Sequence, residues 1–194
     1  MFFRFESYGS ENVPDEKEGR GVILAPNHAS FLDPPLVGIS TRRRVTFLAK
    51  DYLFKAFFVG FVLRKIEAFP IKTDTGDLKS IRELVRLLKK SKCVVVFPEG
   101  TRSPDDSLRE PESGIGFLAM KSEAYIVPVY IQGTFKAFPR GVKFFKCHKV
   151  RAYFGKPFIP ALDEEIVKQT DPYKTTSLKI MAEIKALKEK AKQV

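Results

Sequence analysis

Cysteine, histidine and tryptophan are scarce in this chain of 194 residues, which contains two cysteines, two histidines and no tryptophan. Cys93 and Cys147 offer neither a disulfide framework nor the ligand spacing of a metal site, so we predict no bound metal and a reducing, cytoplasmic compartment. His148 has no carboxylate near it in the sequence and is predicted to lie on the surface. The other histidine, His28, is the one whose sequence context suggests chemistry.

Long hydrophobic runs are also absent, since no stretch approaches the roughly 20 apolar residues that a membrane-spanning helix needs. The first eleven residues do not resemble a signal peptide. The most apolar stretch, YLFKAFFVGFVL at 52–63, is short and carries Lys55. It is either a buried helix pair or an interfacial segment that dips into a bilayer with its phenylalanines at helical spacing, Phe54, Phe57, Phe58 and Phe61.

Acidic residues are outnumbered by basic ones, 23 to 34, which gives a formal net charge of +11. Such a surplus predicts an anionic partner. Nucleic acid, an anionic membrane surface and phosphorylated substrates all satisfy that requirement, and composition does not choose among them.

Short apolar strands alternate with amphipathic helices along the chain, which predicts an α/β domain around a mostly parallel sheet flanked by helices. The predicted strands are 22–26, 45–49, 69–71, 93–97, 126–132 and 150–154. The predicted helices are 34–39, the segment 52–63, 77–89, 114–121 and a C-terminal helix over about 172–193, whose apolar face is clearest from 177 to 190. In such sheets, reactive groups gather at the carboxyl ends of the strands.

The segment NHASFLD, residues 27–33, follows the first predicted strand. A histidine that acts as a general base needs a partner that fixes its tautomer, and a carboxylate on the second ring nitrogen does so. Residues five apart do not face each other on a helix, so His28 and Asp33 meet only across a bend, such as a loop entering a helix. Alternatively, Ser30 or Asp33 caps the helix, because Asp33 followed by Pro34 is a common helix start.

The segment FPEGTRS, residues 97–103, ends the predicted strand 93–97 and continues beyond it. Gly100 permits a sharp turn with positive φ. Glu99 is then presented at a strand end, where its carboxylate is suited to accept hydrogen bonds from substrate hydroxyls. Arg102 offers a planar donor fork that suits a phosphate. Taken alone, the segment favours an ordinary strand-to-loop turn with a solvated arginine.

Together, these two segments resemble the glycerolipid acyltransferase family, and the lysophosphatidic acid acyltransferases in particular. Two weaker blocks stand in the family's order: KIEAFPIK at 65–72 resembles the second block, and IVPV at 126–129 resembles the fourth. The resemblance covers roughly residues 20–132. It implies a glycerol-3-phosphate acyltransferase-like α/β fold in a single domain over residues 1–194, with the motif-bearing core at about 20–155.

The resemblance also implies a reaction, in which a fatty acyl group passes from acyl carrier protein or acyl-CoA to the sn-2 hydroxyl of 1-acylglycerol 3-phosphate, without a cofactor. His28 would take the proton from that hydroxyl, and Asp33 would orient His28. The implied substrate-binding residues are Glu99 and Gly100, which would help to place the glycerol backbone, Arg102, which would hold the phosphate, and Thr101 between them.

The second block departs from the commonest form of the family. Many relatives carry an arginine after the Phe-Pro-Val segment, where this chain has Thr73. Lys72, beside it, is the candidate phosphate ligand, although a lysine gives a point charge and, one strand position away, points to the other face. Other candidates, each of which is alternatively a solvated surface residue, are Arg64, Lys65 and Lys50.

The implied partners are lysophosphatidic acid, a carrier protein or coenzyme A thioester, and an anionic membrane surface that holds the protein peripherally at the inner face of the cell membrane. Glycerol 3-phosphate is the alternative acceptor, because the same blocks serve both reactions, and another lysophospholipid is a further one. A lipid-binding relative without catalysis is a further alternative. A nucleic-acid-binding module would use the Phe/Lys-rich segment 135–146, but the chain carries no recognisable nucleic-acid motif, and we predict no nucleic-acid partner.

Overall fold

A computed structural model describes residues 4–66, 68–71, 78–139, 141–142 and 146–193. Among these residues, six strands form the main sheet: β1 Arg4–Tyr8, β2 Val22–Pro26, β3 Val45–Thr46, β6 Cys93–Val95, β7 Tyr125–Gln132 and β8 Lys149–Phe154. Two further strands pair with each other in a small parallel sheet, β4 Leu48–Lys50 and β5 Phe69–Ile71.

The helices in the described part of the chain are α1 Asp33–Ile39, α2 Phe57–Lys65, α3 Leu78–Lys89, α4 Ser113–Ser122, α5 Thr134–Ala137, α6 Glu164–Val167 and α7 Pro172–Ala191. A 3-10 turn, Asp51–Lys55, precedes α2. None of the helices that the structure describes is long and apolar enough to cross a bilayer.

The main sheet has the strand order β1–β8–β7–β2–β6–β3. Strand β2 lies in its centre and runs parallel to both neighbours, β6 and β7, and β6 runs parallel to β3. Only the β7–β8 pair is antiparallel among the strand pairs described, and β1 follows β8 in parallel. The predicted α/β class with a mostly parallel central sheet is therefore confirmed.

Helices cover both faces of the sheet, as the side chains of β2 illustrate. Ile23 and Ala25 pack into a cluster with residues of α3, α4 and α7, whereas Val22 and Leu24 pack into a second cluster with residues of α1 and α5. Every residue of β2 is buried. Burial on both faces explains why this strand has a continuous apolar sequence and does not alternate.

The predicted strand 45–49 is wrong as a single element, because it divides between the two sheets at Phe47. The ring of Phe47 packs against the α1 side of the main sheet, while Leu48 packs against the opposite cluster. The Phe47 carbonyl accepts a hydrogen bond of 2.6 Å from the Phe69 N–H. The chain thus leaves the main sheet to pair with β5, a change of partner that strand propensity does not encode.

Strand β1 was not expected from the sequence. Its sequence, RFESY, has no apolar run, and its position depends on β8, which lies far away in the chain. Glu6 holds the pair together through Lys149 Nζ at 3.0 Å and Arg151 Nε at 3.1 Å. Predicted ends also shift elsewhere: strand 93–97 stops at Val95, and Asp77, the predicted start of α3, lies outside the described residues.

The contact between α4 and α7 predicts a strong size limit at Gly116. A Cβ added there would lie 1.9 Å from the Tyr173 carbonyl oxygen, whereas a Cβ at Gly114, on the same helix, meets nothing within 4 Å. We expect Gly116→Ala to lower the free energy of unfolding by about 1–3 kcal/mol through overpacking. Gly114→Ala should leave it unchanged or raise it by up to about 1 kcal/mol. Urea unfolding checks both, and equal stability of the two variants would contradict the packing described.

Candidate active site

The segment after β2 begins with Asn27, which extends the pairing of β2 with β7 beyond the end of the strand. Its main-chain N–H donates to the Val129 carbonyl at 3.3 Å. Its side-chain amide donates to the Ile131 carbonyl at 3.2 Å and accepts from the Ile131 N–H at 2.6 Å. The buried amide therefore fixes the point at which the chain leaves the sheet, just before His28.

His28 and Asp33 are in contact, as the sequence predicted for a loop entering a helix. His28 Nδ1 lies 2.9 Å from Asp33 Oδ2, and Asp33 is the first residue of α1. The histidine side chain is 17% exposed and the aspartate side chain is fully buried. One ring nitrogen is thus bound to a carboxylate, and the other, Nε2, is the one that can exchange a proton with a substrate.

Asp33 does not cap α1 with its side chain. Its Oδ2 turns back to the preceding loop and accepts the main-chain N–H groups of Ala29 and Ser30, both at 2.7 Å. Ser30 Oγ accepts the Leu32 N–H at 3.1 Å and donates to the Phe138 carbonyl at 2.7 Å. The side chains of Ser30 and Asp33 therefore bind main-chain groups of the loop and its neighbours, and Asp33 does not act as the cap of α1.

The FPEGTRS segment meets this loop through Phe97 and Ser103. The Phe97 ring stacks on the His28 imidazole, with ring centroids 3.8 Å apart and an angle of 22° between the planes. The Ser103 N–H donates to the His28 carbonyl at 2.7 Å. Since β2 and β6 are parallel neighbours, their carboxyl ends bring the two motifs together at one edge of the sheet.

Glu99 lies beneath the loop and contacts main chain, which differs from the exposed, substrate-facing position expected from the sequence. Its Oε1 accepts the His28 N–H at 3.0 Å, and the residue is only 2% exposed. Burial raises the pKa of Glu99 to about 7; hydrogen bonds from the main chain of His28 and of Arg109 oppose this shift, and the charge of Asp33 adds to it. Glu99 thus joins the two motif loops.

Gly100 forms the turn that the sequence predicted. Its φ is +67°, and its N–H donates to the Phe97 carbonyl at 3.1 Å. A Cβ there would also lie 2.9 Å from Cγ of Glu112, so a side chain would be strained by the positive φ and would require Glu112 to move. Gly100 and Thr101 are both exposed at the edge of the sheet.

Arg102 lies against an aromatic ring that sequence reasoning did not single out. Its guanidinium carbon is 3.6 Å from the ring centroid of Phe31, which stands in the loop between His28 and Asp33 and is 59% exposed. In the sequence, Phe31 is one of four residues in a spacer, and nothing there distinguishes it from the others. The contact ties the phosphate-binding candidate to the catalytic loop.

Of the remaining candidate ligands, Lys72 lies outside the described residues, and so does the Lys50 side chain. Arg64, which lies on α2, donates to the Phe54 carbonyl at 3.2 Å. His148 is exposed, as predicted. In the part of the chain that the structure describes, no three His, Cys, Asp or Glu side chains are grouped so as to hold a metal ion.

Comparison with known proteins agrees with this geometry. The family model described as Acyltransferase matches residues 4–132. The 1-acyl-sn-glycerol-3-phosphate acyltransferase of Bacillus subtilis is 30% identical over 151 residues, which is 77% of this chain and 71% of the relative. The Arabidopsis thaliana chloroplastic enzyme of that name is 30% identical over 159 residues, 80% of this chain, but the match spans only 44% of the relative.

A solved structure is similar in fold as well. The crystal structure of the 1-acyl-sn-glycerophosphate acyltransferase PlsC from Thermotoga maritima matches 96% of this chain and 73% of its own, with a TM-score of 0.77 and 27% identity. The sheet, the two motif loops at its edge and the match of the family model over residues 4–132 agree with one another. The chain belongs to the Acyltransferase family.

Proposed function

We propose that this acyltransferase esterifies the sn-2 hydroxyl of 1-acylglycerol 3-phosphate with a fatty acyl group from a thioester, which produces phosphatidic acid. The observation that carries the proposal is the His28–Asp33 contact of 2.9 Å at the carboxyl edge of the sheet. The names of the Bacillus subtilis and Thermotoga maritima relatives specify this acceptor for those enzymes, which supports the same acceptor here. Glycerol 3-phosphate as acceptor is the second candidate.

The proposed chemistry is direct transfer, with His28 as general base and then general acid. His28 Nε2 takes the proton of the hydroxyl as its oxygen attacks the thioester carbonyl carbon. The tetrahedral intermediate collapses with cleavage of the C–S bond, and the imidazolium returns the proton to the leaving thiolate, which departs as a thiol. Asp33 holds the ring by Nδ1 and stabilises the transient imidazolium.

The acceptor phosphate is assigned to Arg102. Its planar fork matches phosphate oxygens, and the Phe31 ring under it restricts the guanidinium to one plane. Gly100 and Thr101 are the exposed neighbours that face incoming substrate at the same edge. Phe31 therefore acts as a positioning residue for the phosphate ligand, and Lys72 stays a candidate for a second contact.

Glu99 is assigned a positioning role in place of the glycerol contact implied by the family resemblance. Its carboxyl bonds to the main chain of His28 and is almost completely buried, so it fixes the height of the histidine above the sheet. Fixing a catalytic group within a fraction of an ångström is itself a large part of catalysis.

The donor is proposed to be acyl carrier protein or acyl-CoA, and no further cofactor is needed because the thioester is already activated. The net charge of +11 suits both donors, since the carrier is acidic and coenzyme A is phosphorylated. The acceptor is a lipid, so we place the enzyme in the cytoplasm and peripherally at the inner face of the cell membrane.

The first test is transfer of a labelled acyl group to 1-acylglycerol 3-phosphate by the unaltered protein, His28→Ala and His148→Ala. We expect phosphatidic acid from the unaltered protein and a loss of about 10²–10⁴-fold with His28→Ala, because the general base is removed. His148→Ala, at an exposed histidine outside the site, should keep full activity.

The outcomes of that assay separate the candidates. If product forms with glycerol 3-phosphate and not with 1-acylglycerol 3-phosphate, glycerol 3-phosphate is the acceptor. No product with either acceptor and either donor, in the presence of lipid vesicles, would contradict an acyltransferase activity of this kind. Full activity of His28→Ala would remove the proposed base.

A second test concerns Arg102 and Phe31. Arg102→Ala should raise KM for 1-acylglycerol 3-phosphate by roughly 10- to 100-fold, as expected for loss of a charged hydrogen bond. Phe31→Leu should raise it by about 2- to 10-fold through loss of the cation–π contact, with kcat little changed. In the Arg102→Ala background, Phe31→Leu should add nothing; an equal effect in both backgrounds would show that Phe31 acts independently of Arg102.

The raised pKa of Glu99 gives a third test. The folded state holds this proton up to a pKa of about 7 and the unfolded state releases it near 4.5, so the group stabilises the fold most below pH 4.5 and loses that contribution as pH rises through 7. Relative to Glu99→Gln, the unaltered protein should lose up to about 3 kcal/mol of unfolding free energy over this window. Urea unfolding at about pH 5 and about pH 8 measures it, and a pH-independent difference would contradict the assignment.

A further inference from the structure

Helix α2 presents aromatic side chains to solvent in place of packing them. Phe57 is 96% exposed and Phe61 is 58% exposed. They are four residues apart and therefore lie on one face of the helix. Tyr52 in the preceding 3-10 turn is 53% exposed and Ile66 after the helix is 41% exposed, so exposed apolar side chains also flank α2 in the sequence. Of the two interpretations of this segment, a buried helix pair and an interfacial segment, the second fits these exposed residues.

Helix α2 is fixed to the rest of the segment through Gly60 and Arg64. Gly60 is buried, and a Cβ there would lie 2.3 Å from the Phe54 carbonyl oxygen. Arg64 donates to that same carbonyl at 3.2 Å, and the main contacts of α2 are with the turn Asp51–Lys55. Residues 51–66, which we term the arm, are therefore a folded unit from which Phe57 and Phe61 point outward.

Basic side chains frame this apolar face. The segment 50–66 contains four basic residues and one acidic residue, Asp51. Lys55 and Lys65 are exposed, and Lys65 Nζ lies 5.8 Å from the centroid of the Phe61 ring. An ammonium beside an aromatic face is the arrangement with which interfacial helices meet acyl chains and phosphate groups together.

The arm leaves the main sheet at the edge that carries the catalytic loops. Strand β3, which ends at Thr46, runs parallel to β6, and the FPEGTRS loop follows β6. After Phe47, β4 leads into the arm, and β5 closes it through the parallel pairing of Leu48 with Phe69. A surface that holds the arm therefore lies on the same side of the sheet as the carboxyl ends of β3 and β6.

We propose that the arm docks on an anionic phospholipid bilayer, with Phe57 and Phe61 inserted among the acyl chains and Lys55 and Lys65 at the phosphate level. A bilayer is favoured over a protein partner because Phe57 and Phe61 protrude from the helix and the exposed charged side chains of the same segment are mostly basic. The purpose of docking, which is delivery of an acceptor lipid to His28, rests on the proposed function. Vesicle binding itself can be tested whether or not the protein transfers an acyl group.

The test uses the full chain and vesicles of equal parts phosphatidylglycerol and phosphatidylcholine, with sedimentation as the readout. The double variant Phe57→Ser with Phe61→Ser should bind at least about tenfold more weakly, as expected when two phenylalanines no longer enter an apolar phase. The matched control is Leu162→Ser with Val167→Ser, whose side chains are 64% and 50% exposed elsewhere on the molecule and whose loss should change nothing. Binding of the unaltered protein should fall in pure phosphatidylcholine and at high salt.

Activity measurements then separate docking from catalysis. On a short-chain acceptor dispersed as monomers, the arm variant should retain the unaltered kcat/KM, and on vesicle-borne acceptor it should lose activity in proportion to binding. Undiminished vesicle binding by the arm variant would overturn the proposal. A change in its oligomeric state with vesicle binding retained would also overturn it, because Phe57 and Phe61 would then pack against a second copy of the chain. A protein that binds through the arm but transfers no acyl group would leave docking in place and remove the proposed function.

Discussion

One carboxylate oxygen organises the catalytic loop. Oδ2 of Asp33 receives the imidazole of His28 and two main-chain N–H groups, those of Ala29 and Ser30, all within 2.9 Å. These donors belong to consecutive residues, so their convergence on one atom requires the loop to curl around the start of α1. A negative charge in a fully buried position is tolerable only because it is met by several donors. The same contacts that stabilise the charge therefore determine where the imidazole lies.

A second buried carboxyl connects this loop to its neighbour. Glu99 reaches from the end of β6 to the N–H of His28, while the Ser103 N–H returns to the His28 carbonyl. Both main-chain polar groups of His28 are thus bound by the other motif. Because β2 and β6 are parallel neighbours in the sheet, the distance between the two strands is fixed, and these bonds therefore fix the position of His28. This explains why the two motifs belong together although about seventy positions separate them.

The parts of the structure that the sequence predicted are those that depend on local pattern. Strand β2 was predicted with its observed ends, and the contact of His28 with Asp33 followed from a spacing that forbids it on a straight helix. The parts that were missed depend on distant partners. Strand β1 has no apolar pattern and is held by β8, and the direction of the Glu99 side chain follows from the turn at Gly100. The stacking of Arg102 on Phe31 joins two loops that only the sheet brings together.

The hydroxyls of Ser30 and Ser103 and the thiol of Cys93 bear on how the acyl group moves. Ser30 Oγ donates to the Phe138 carbonyl and Ser103 Oγ donates to Asp105, so both hydroxyls are committed to loop structure, and both residues are buried. Cys93 is buried at the start of β6, and burial raises the pKa of its thiol to about 12, which disfavours the thiolate. A covalent acyl-enzyme on any of these three would first have to dismantle the loops or the core. Attack by the acceptor hydroxyl on the thioester requires no such change, which argues for direct transfer assisted by His28.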